Sequence, residues 1–472
     1  MTSATGAAGW SDLFRGRNGA LTLALAGGAA LHAVNVYIAA TILPSVVADI
    51  GGIDFYAWNT SLFIVASILA SAASPALLRA AGPRGAYLAG AAIFGLGSAA
   101  CGLAPSMPLL LAGRVVQGLG GGFLLALAYA MIRLAFAPAL WPRGIALVSG
   151  MWGVATLVGP ATGGAFAEYG MWRAAFWSLA PAAALFGALA AAALPGAGAA
   201  RDSDGDAGAP VVQILLLAAA VLAVSAGSAS TSLAWNAAGF AAGAGFTVAM
   251  AAVEKRSARR LLPSGTFSGA GALAAVYLSM MLLSVMVTSS EIFAPLFLQT
   301  LHHQTPLVAG YLAASMSAGW TVGSLTGSGA TGARMRRQLR LAPLPGLAGM
   351  IALLILVPPG GAGDAAGVAP IAVALVMVGL GVGLAWPHLL TRALQLAPAG
   401  EDAVASASLT TVQLFATASG AALAGMVVNL AGLTDPGGGA GVASAAFWLF
   451  ATFALAPLAC LFTIRRAMAG AP

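Results

Sequence analysis

The sequence predicts an all-α polytopic membrane protein. Three observations lead to that class. First, only 7% of the 472 residues are charged and 60% are hydrophobic, whereas a water-soluble domain carries roughly a quarter charged residues. A chain of this composition has too few polar side chains to cover a surface in water. Second, the apolar runs extend for about 20 residues or more without alternating, which is the length of a membrane-crossing helix and not the pattern of a barrel strand. Inside a bilayer every backbone polar group needs an internal partner, so helices or closed barrels are the only structures that cross. Third, the few charges are sorted by sign between alternate loops.

Hydropathy places about fourteen spans, near 20–43, 57–78, 85–104, 108–133, 144–167, 173–194, 211–229, 233–253, 271–298, 307–330, 342–358, 367–391, 404–431 and 443–464. The stretch "MTSATGAAGWSDLFRGRN" lacks a basic-then-apolar signal pattern with a cleavage site, and residues 1–19 read as a cytoplasmic tail. With that end inside, the even-numbered loops face the cytoplasm. Of the twenty Lys and Arg, all but Arg114 and Arg173 then fall in the termini or in cytoplasmic loops. The densest runs are "EKRSARR" from Glu254 and "RMRRQLR" from Arg334, while Asp49, Asp54, Glu168, Asp364 and Asp435 fall outside. This is the positive-inside distribution. It explains the net charge of +7 by topology, and nucleic acid is set aside as a partner. Cys101 and Cys460 both lie in apolar runs and read as small buried hydrophobes, with no disulfide framework.

An internal repeat sets the order of the spans. "GLGGGF" begins at Gly118 in the fourth, and "GLGVGL" begins at Gly379 in the twelfth, 261 residues later. The same offset carries Gly159 to Gly420 and Gly164 to Gly425, in the fifth and thirteenth. The simplest organisation is a six-helix half over 20–195, a cytoplasmic linker over 196–210, an extra helix pair over 211–253, a basic cytoplasmic linker over 254–270, a second six-helix half over 271–466 and a cytoplasmic tail over 467–472. Two parallel six-helix halves form a transporter architecture with the substrate site between them, near the midplane.

Two motifs stand out. In "LLLAGRVVQGLGGG", Arg114 and Gln117 share one side of a helix that continues into a glycine track. A membrane-embedded arginine faces a cavity or a partner, or is held by neighbouring carbonyls. Glycines let helices approach closely. No strand precedes them, so a nucleotide-binding reading fails. "GMWGVATLVGPATGG" is a glycine-rich helix in which Gly153, Gly159, Gly163 and Gly164 form a packing seam and Pro160 permits a bend.

These motifs, with "AWNTSLFIVASILA", "FGLGSAACGLAPSMPLLLAGR", "PLFLQTLHHQTPLVAG" and "EKRSARRLLPSGTF", resemble the major facilitator superfamily in its fourteen-span drug:proton antiporter branch. The resemblance covers nearly the whole chain. It implies the major facilitator fold, with Arg114 as the basic residue of the fourth-helix motif and Gly150 to Gly164 as the antiporter motif of the fifth helix. Three departures stand beside it. The branch carries an aspartate nine residues before the proline of its first helix, and counting back from Pro44 gives Asn35. In the loop after the second span it carries an aspartate three residues before a glycine, and counting back from Gly82 gives Arg79. Pro75 replaces that motif's opening glycine. The cytoplasmic gate, to which Arg79, Gly82 and Arg84 are assigned, is therefore latched differently or more weakly.

The candidate proton-coupling or substrate-cavity residues are Glu291, Arg114, Asn35, His32, Gln117, Thr288 and Ser284. Glu291 is the only acid well inside a span, and Tyr277, Ser284, Thr288 and Glu291 follow helical spacing down one face. It is either a coupling carboxylate or one held permanently by structural partners. His32 lies near mid-helix and titrates near neutrality when unperturbed, or it is a neutral histidine bonded within the bundle. His302 and His303 read as solvated loop residues, and His388 as a residue near the inner gate. The stripe Ser406, Thr410, Gln413 and Thr417 reads as interhelical glue in preference to substrate contact. Trp152, Trp320 and Trp386 either pack or stack on a ligand.

The resemblance implies secondary active export of small, amphipathic, drug-like compounds across a bacterial inner membrane, by alternating access and in exchange for protons. It implies a monomer with both termini cytoplasmic and no cofactor. No nucleophile–base pair, metal-ligand cluster or phosphate loop in context points to an enzyme, and no residue is assigned a catalytic role. Asn35 and Arg79 keep two other readings open: a proton-independent facilitator or substrate exchanger of the same fold, and a non-transporting membrane sensor or scaffold.

Overall fold

The computed structural model describes residues 10–137, 140–196, 210–267 and 271–468. Most of the linker expected over 196–210, the last three residues of the basic linker and parts of both tails lie outside the described residues.

Among the described residues the regular structure is helical throughout. The first group is α1 (Trp10–Phe14), α2 (Gly16–Ile50), α3 (Trp58–Leu103), α4 (Met107–Ala135), α5 (Trp141–Glu168) and α6 (Trp172–Ala193). Then come α7 (Val211–Ser228) and α8 (Leu233–Arg256). The last group is α9 (Ala272–Leu301), α10 (Pro306–Gly327), α11 (Gly332–Leu341), α12 (Pro343–Leu356), α13 (Ala365–Leu396), α14 (Asp402–Leu430), α15 (Gly438–Phe453) and α16 (Leu455–Ala467). Twelve helical stretches among the described residues are long and apolar enough to cross a membrane. One of them, Ile53–Leu103, runs for 51 residues and is two limbs. Gly82 interrupts it at φ 69 and ψ 174, a backbone conformation that only glycine adopts freely, and Pro83 follows at once. The 22-residue helix α10 stands outside those twelve.

Local chemistry sets several boundaries. Thr305 and Asp364 cap α10 and α13 by accepting from the backbone N–H of Val308 and Gly367. Proline occupies the first turn of α4, α5, α10 and α12, where its missing N–H costs no helical bond. The "RMRRQLR" stretch, read above as a loop, is helix α11. Its Leu339 is buried, Gln338 donates to the Leu384 carbonyl on α13 at 3.0 Å, and the arginines at 334, 337 and 340 remain exposed. The charge run hides an amphipathic helix lying against the end of a span.

The chain divides into two compact units, Met1–Ala39 with Ala66–Ala209, and Ala40–Val65 with Pro210–Pro472. Within each, glycines of the repeat bring helices into backbone contact. In the first unit a Cβ on Gly120 would collide with Phe94 on the second limb of α3, and one on Gly122 with Ser67 on the first limb. In the second unit the offset partners do the same: Gly381 abuts Gly346 on α12, and Gly383 abuts the Trp320 carbonyl on α10. Gly159 on α5 lies against Tyr37 on α2, and Gly420 on α14 lies against Val285 and Thr288 on α9. The shift of 261 seen in the sequence therefore carries contacts as well as letters.

Helices α7 and α8 have no counterpart in that correspondence. They form a hairpin in which Gly239 and Gly243 on α8 meet Gly227 and Ala220 on α7. The α7 side packs on α14. Leu233, Trp235, Phe240, Phe246 and Val248 on α8 are exposed, as an apolar helix in lipid requires.

Candidate polar sites of the two units

In the first unit a polar cluster forms deep among apolar helices. Arg114 on α4 is 1% exposed. One guanidinium nitrogen donates to Asn35 Oδ1 on α2 at 3.1 Å and to Gln117 Oε1 one turn along its own helix. The Gln117 amide then donates to Ser98 Oγ on α3 at 2.8 Å, and Ser98 donates to the Phe94 carbonyl. His32 lies one turn before Asn35, fully buried, with its ring 6.0 Å from Trp152 on α5 at 73°. Glycines make this convergence possible. Gly97 puts the α3 backbone against Gln117, Gly113 puts α4 against Cys101, and Gly159 puts α5 against Val34 to Ile38. In the sequence of this unit no Asp or Glu lies between Arg15 and Glu168. The Asn35 and Gln117 oxygens that accept from Arg114 belong to neutral amides.

In the second unit Glu291 is half-buried on α9, between buried Ser290 and Ile292. Its expected stripe serves several contacts. The Tyr277 hydroxyl pairs with Ser408 Oγ on α14 at 2.6 Å, and Thr288 lies beside Gly420. Ser284 is buried, and its hydroxyl has no hydrogen-bond partner among the described residues. The structure thus gathers Asn35, His32, Arg114 and Gln117 in one cluster, and Ser284, Thr288 and Glu291 on one helix of the other unit.

The stripe read as interhelical glue is corrected. Ser406 and Thr410 are exposed, Gln413 and Thr417 are half-buried, and Ser406 bonds only back to Asp402 on its own helix. The offset of 261 carries Ile145, Ser149, Trp152 and Thr156 of α5 onto these four, and all of them are exposed or half-buried too. Gly150 and Gly153 on that α5 face have open space around them, whereas Gly159, Pro160, Gly163 and Gly164 are buried. Ser406 and Thr156 bond back to carbonyls of their own helices and Ser149 pairs with Tyr129, so these faces satisfy part of their hydrogen bonding locally.

Arg79 and Arg84 do not meet. Arg79 is exposed, while Arg84 donates through Nε and Nη2 to the Leu194 carbonyl at 3.1 and 3.0 Å. That caps the C-terminal end of α6 and fixes the Gly82 corner to it. His302 is buried, with its ring Nε2 3.0 Å from the Val357 carbonyl, so its reading as a solvated residue is corrected. His303 is exposed. His388 contacts the Gly327 carbonyl at 2.9 Å and ties α13 to the end of α10. Trp320 and Trp386 pack edge-on, 5.2 Å apart. Cys101 and Cys460 are both buried and unbridged.

Ser98 escaped the sequence reading, although "FGLGSAACGL" places it at helical spacing beside the glycines that admit Gln117. The contacts of segment 40–65 within the second unit, such as Asn429 donating to the Asp54 carbonyl at 3.0 Å and Gln299 to the Thr41 carbonyl at 3.4 Å, escaped it altogether: they join residues hundreds of positions apart, and periodicity carries no such signal.

Helical repeats in two units, each joined by backbone-close glycines and each holding polar groups at membrane depth, define a polytopic membrane protein of the transporter class. A model of the Major Facilitator Superfamily matches residues 25–421, and the chain belongs to that superfamily. It is 40% identical over 446 residues to a protein of Mycobacterium tuberculosis named as a probable multidrug-efflux transporter, covering 92% of each chain. It is 25% identical over 343 residues to multidrug resistance protein 3 of Bacillus subtilis, covering 72% of this chain and 66% of that one. Among solved structures, a bacterial homologue of the human lysosomal transporter Spinster has a TM-score of 0.67 at 13% identity, covering 96% of this chain and 98% of that one. A POT family transporter has a TM-score of 0.64 at 15% identity, covering 94% and 95%. Both likenesses show the fold. The chain is a multi-pass transporter and not an enzyme.

Proposed function

We propose that this protein exports small, amphipathic organic compounds across a bacterial inner membrane by alternating access, in exchange for protons. The observation that carries this reading is the similarity over 92% of the chain to a protein named as an efflux transporter. The exposed and half-exposed polar residues on α5 and α14 support it, since a route for amphipathic cargo needs such surfaces. Fourteen crossings are supported by counting the two limbs of α3 separately and adding α10. The six-plus-two-plus-six order is supported by the shared contacts of the repeat, from which only α7 and α8 are left over. The distribution of arginines supports cytoplasmic termini, and the proposed working unit is a monomer.

Glu291 is the proposed coupling carboxylate, and Arg114, Asn35, His32, Gln117, Thr288 and Ser284 line the coupling and substrate region. The buried seam of Gly159, Pro160, Gly163 and Gly164, with Gly153 on its open side, serves as the hinge helix. Arg79, Gly82 and Arg84 form the cytoplasmic corner. The test is efflux of a fluorescent amphipathic cation from proteoliposomes, with and without an imposed pH gradient. Efflux that is indifferent to collapse of the gradient removes the proton.

A second reading keeps transport and drops the proton: a facilitator or an exchanger of substrate anions. Asn35 favours it, because the amide at 3.1 Å from Arg114 stands where the branch has an acid and cannot release a proton.

A further inference from the structure

Helix α8 ends in charged residues, and the chain that leaves it is strapped to two neighbouring helices. Gln213 in the first turn of α7 donates to the Arg259 carbonyl at 2.8 Å. Ser264 donates through its N–H and its hydroxyl to the two oxygens of Glu401, at 2.6 Å each, which ties the strap to the start of α14. The Thr266 hydroxyl donates to the Pro263 carbonyl at 2.7 Å and closes a turn. The end of α8 and this strap line a cavity of about 340 Å³, with Glu254, Lys255, Arg260 and residues 262–267 in its wall. All of these residues belong to the second unit.

Glu254 is the unusual member of that wall. It is 3% exposed. Its Oε1 accepts from the backbone N–H groups of Leu261 and Leu262 at 2.6 and 2.7 Å. Its Oε2 is buried and has no hydrogen-bond partner among the described residues. An ionised carboxylate only accepts, and a buried oxygen without a donor is costly. The partner that fits Oε2 is therefore an N–H or O–H group brought into the cavity.

Three features narrow what brings it. The first is charge. Glu254 and Glu401 balance Lys255 and Arg260, with Arg260 3.9 Å from Glu401, and a balanced site suits a zwitterion better than a polyanion. The second is position. The apolar run of α8 gives way to Glu254, Lys255 and Arg256, so the cavity lies where hydrocarbon meets water. The third is approach. Ala241, Ala244, Val248, Ala252 and Lys255 are spaced three, four, four and three, share one face of α8 and are all exposed. From Ala241 to Ala252 that face runs about 17 Å at 1.5 Å per residue, close to half the roughly 30 Å hydrocarbon thickness of a bilayer.

We propose that this cavity binds the headgroup of phosphatidylethanolamine, with its ammonium donating to Glu254 Oε2, its phosphate held by Lys255 and Arg260, and one acyl chain lying along the 241–252 face of α8. The bound lipid joins α8 to the strap and, through Ser264 and Glu401, to the start of α14. The extra hairpin is then a lipid-recognising element. The site does not depend on which compound is carried or on proton exchange.

The test measures binding of tail-labelled lipids to purified full-length protein in mixed micelles. An ethanolamine ammonium keeps an N–H after one or two methylations and loses the last at the third, while its charge stays. Affinity should hold within about threefold through the dimethyl lipid and fall at least tenfold for phosphatidylcholine, the loss of one charge-assisted bond. Phosphatidylglycerol, which has no cation, should also bind at least tenfold more weakly. Glu254→Gln keeps an oxygen for Leu261 and Leu262 but sets an NH₂ where the ammonium donates, so it should erase the step at the third methyl. Lys255→Ala should weaken binding of phosphatidylethanolamine at least threefold, whereas Arg256→Ala, outside the wall, should not. A series without a step, a step that survives Glu254→Gln, or affinity indifferent to Lys255→Ala overturns the site. Should Glu254→Gln fail to fold, the wild-type series and Lys255→Ala decide. Water-soluble glycerophosphoethanolamine should not displace the lipid even at a concentration about a hundredfold higher. Displacement at matched concentration assigns the cavity to a free solute and overturns the lipid.

Discussion

Replacing Asn35 with aspartate tests the electrostatic account of the buried cluster directly. The two side chains are isosteric, so packing is unchanged. Asn35 Oδ1 accepts from Arg114 at 3.1 Å, while its Nδ2 is buried without a hydrogen-bond partner. Aspartate removes that orphan donor, which is worth about 1–3 kcal/mol. It adds an attraction of about 4 kcal/mol for unit charges near 4 Å at an effective dielectric of about 20. Against these stands the cost of burying a carboxylate, of the order of several kcal/mol. The balance is a gain of roughly 1–2 kcal/mol. Asn35→Leu removes a charge-assisted hydrogen bond instead and should lose about 1.5–3 kcal/mol, partly offset by added apolar contact. The assay is the half-life of the detergent-solubilised protein at one fixed temperature, because bundles of this size unfold irreversibly and their stability reads as a rate. The cycle Asn35→Leu, Arg114→Met and the double variant isolates the pair, with an expected coupling of about 1.5 kcal/mol or more. Aspartate and leucine shifting stability in the same direction, or a coupling below about 0.5 kcal/mol, refutes the account.

Three further outcomes follow from the geometry. Glu291→Gln should abolish gradient-driven efflux while leaving folding and size-exclusion behaviour intact; transport at the normal rate removes Glu291 from the mechanism. Gly383→Val should cost more than about 3 kcal/mol, because its new side chain meets the Trp320 carbonyl, whereas Gly439→Ala, with open space around it, should change thermal stability by less than about 0.5 kcal/mol. Glu401 accepts from the Ser264 hydroxyl and N–H at 2.6 Å each, and these bonds, with Arg260 at 3.9 Å, hold its carboxyl below the ordinary value of 4.5. A lowered folded value means the contribution is complete above pH 4.5 and fades as pH falls through the lowered value. Wild-type stability should therefore drop more steeply than that of Glu401→Gln on acidification below pH 4.5, and parallel curves would show that the Ser264 contacts carry no weight.

Much of the architecture was legible because lipid constrains it so tightly. Runs near 20 residues give spans, and a glycine pattern at a fixed offset gives the repeat. The pairing of Arg114 with Gln117 was legible because both lie on one helix, three residues apart. Its pairing with Asn35 depends on how far α4 approaches α2, which is set by Gly113 on α4 itself and by Gly97 on α3 and Gly159 on α5, and has no local signature. His302 was misread for a related reason. It follows the last residue of α9 and looks like loop, but its ring is drawn onto the Val357 carbonyl by a turn 55 residues away. The stripe on α14 was misassigned because a hydroxyl face toward a neighbour and one toward water have the same spacing.

The α7–α8 hairpin makes the two copies of the repeat unequal. In the second unit α14 packs on α7, and α8 behind it carries the exposed Leu233, Trp235 and Phe240. The equivalent helix of the first unit, α5, has no counterpart of that hairpin in the repeat. A substitution on the α7 side of α14 therefore disturbs a further pair of helices, whereas the matching position of α5 has no such layer to disturb.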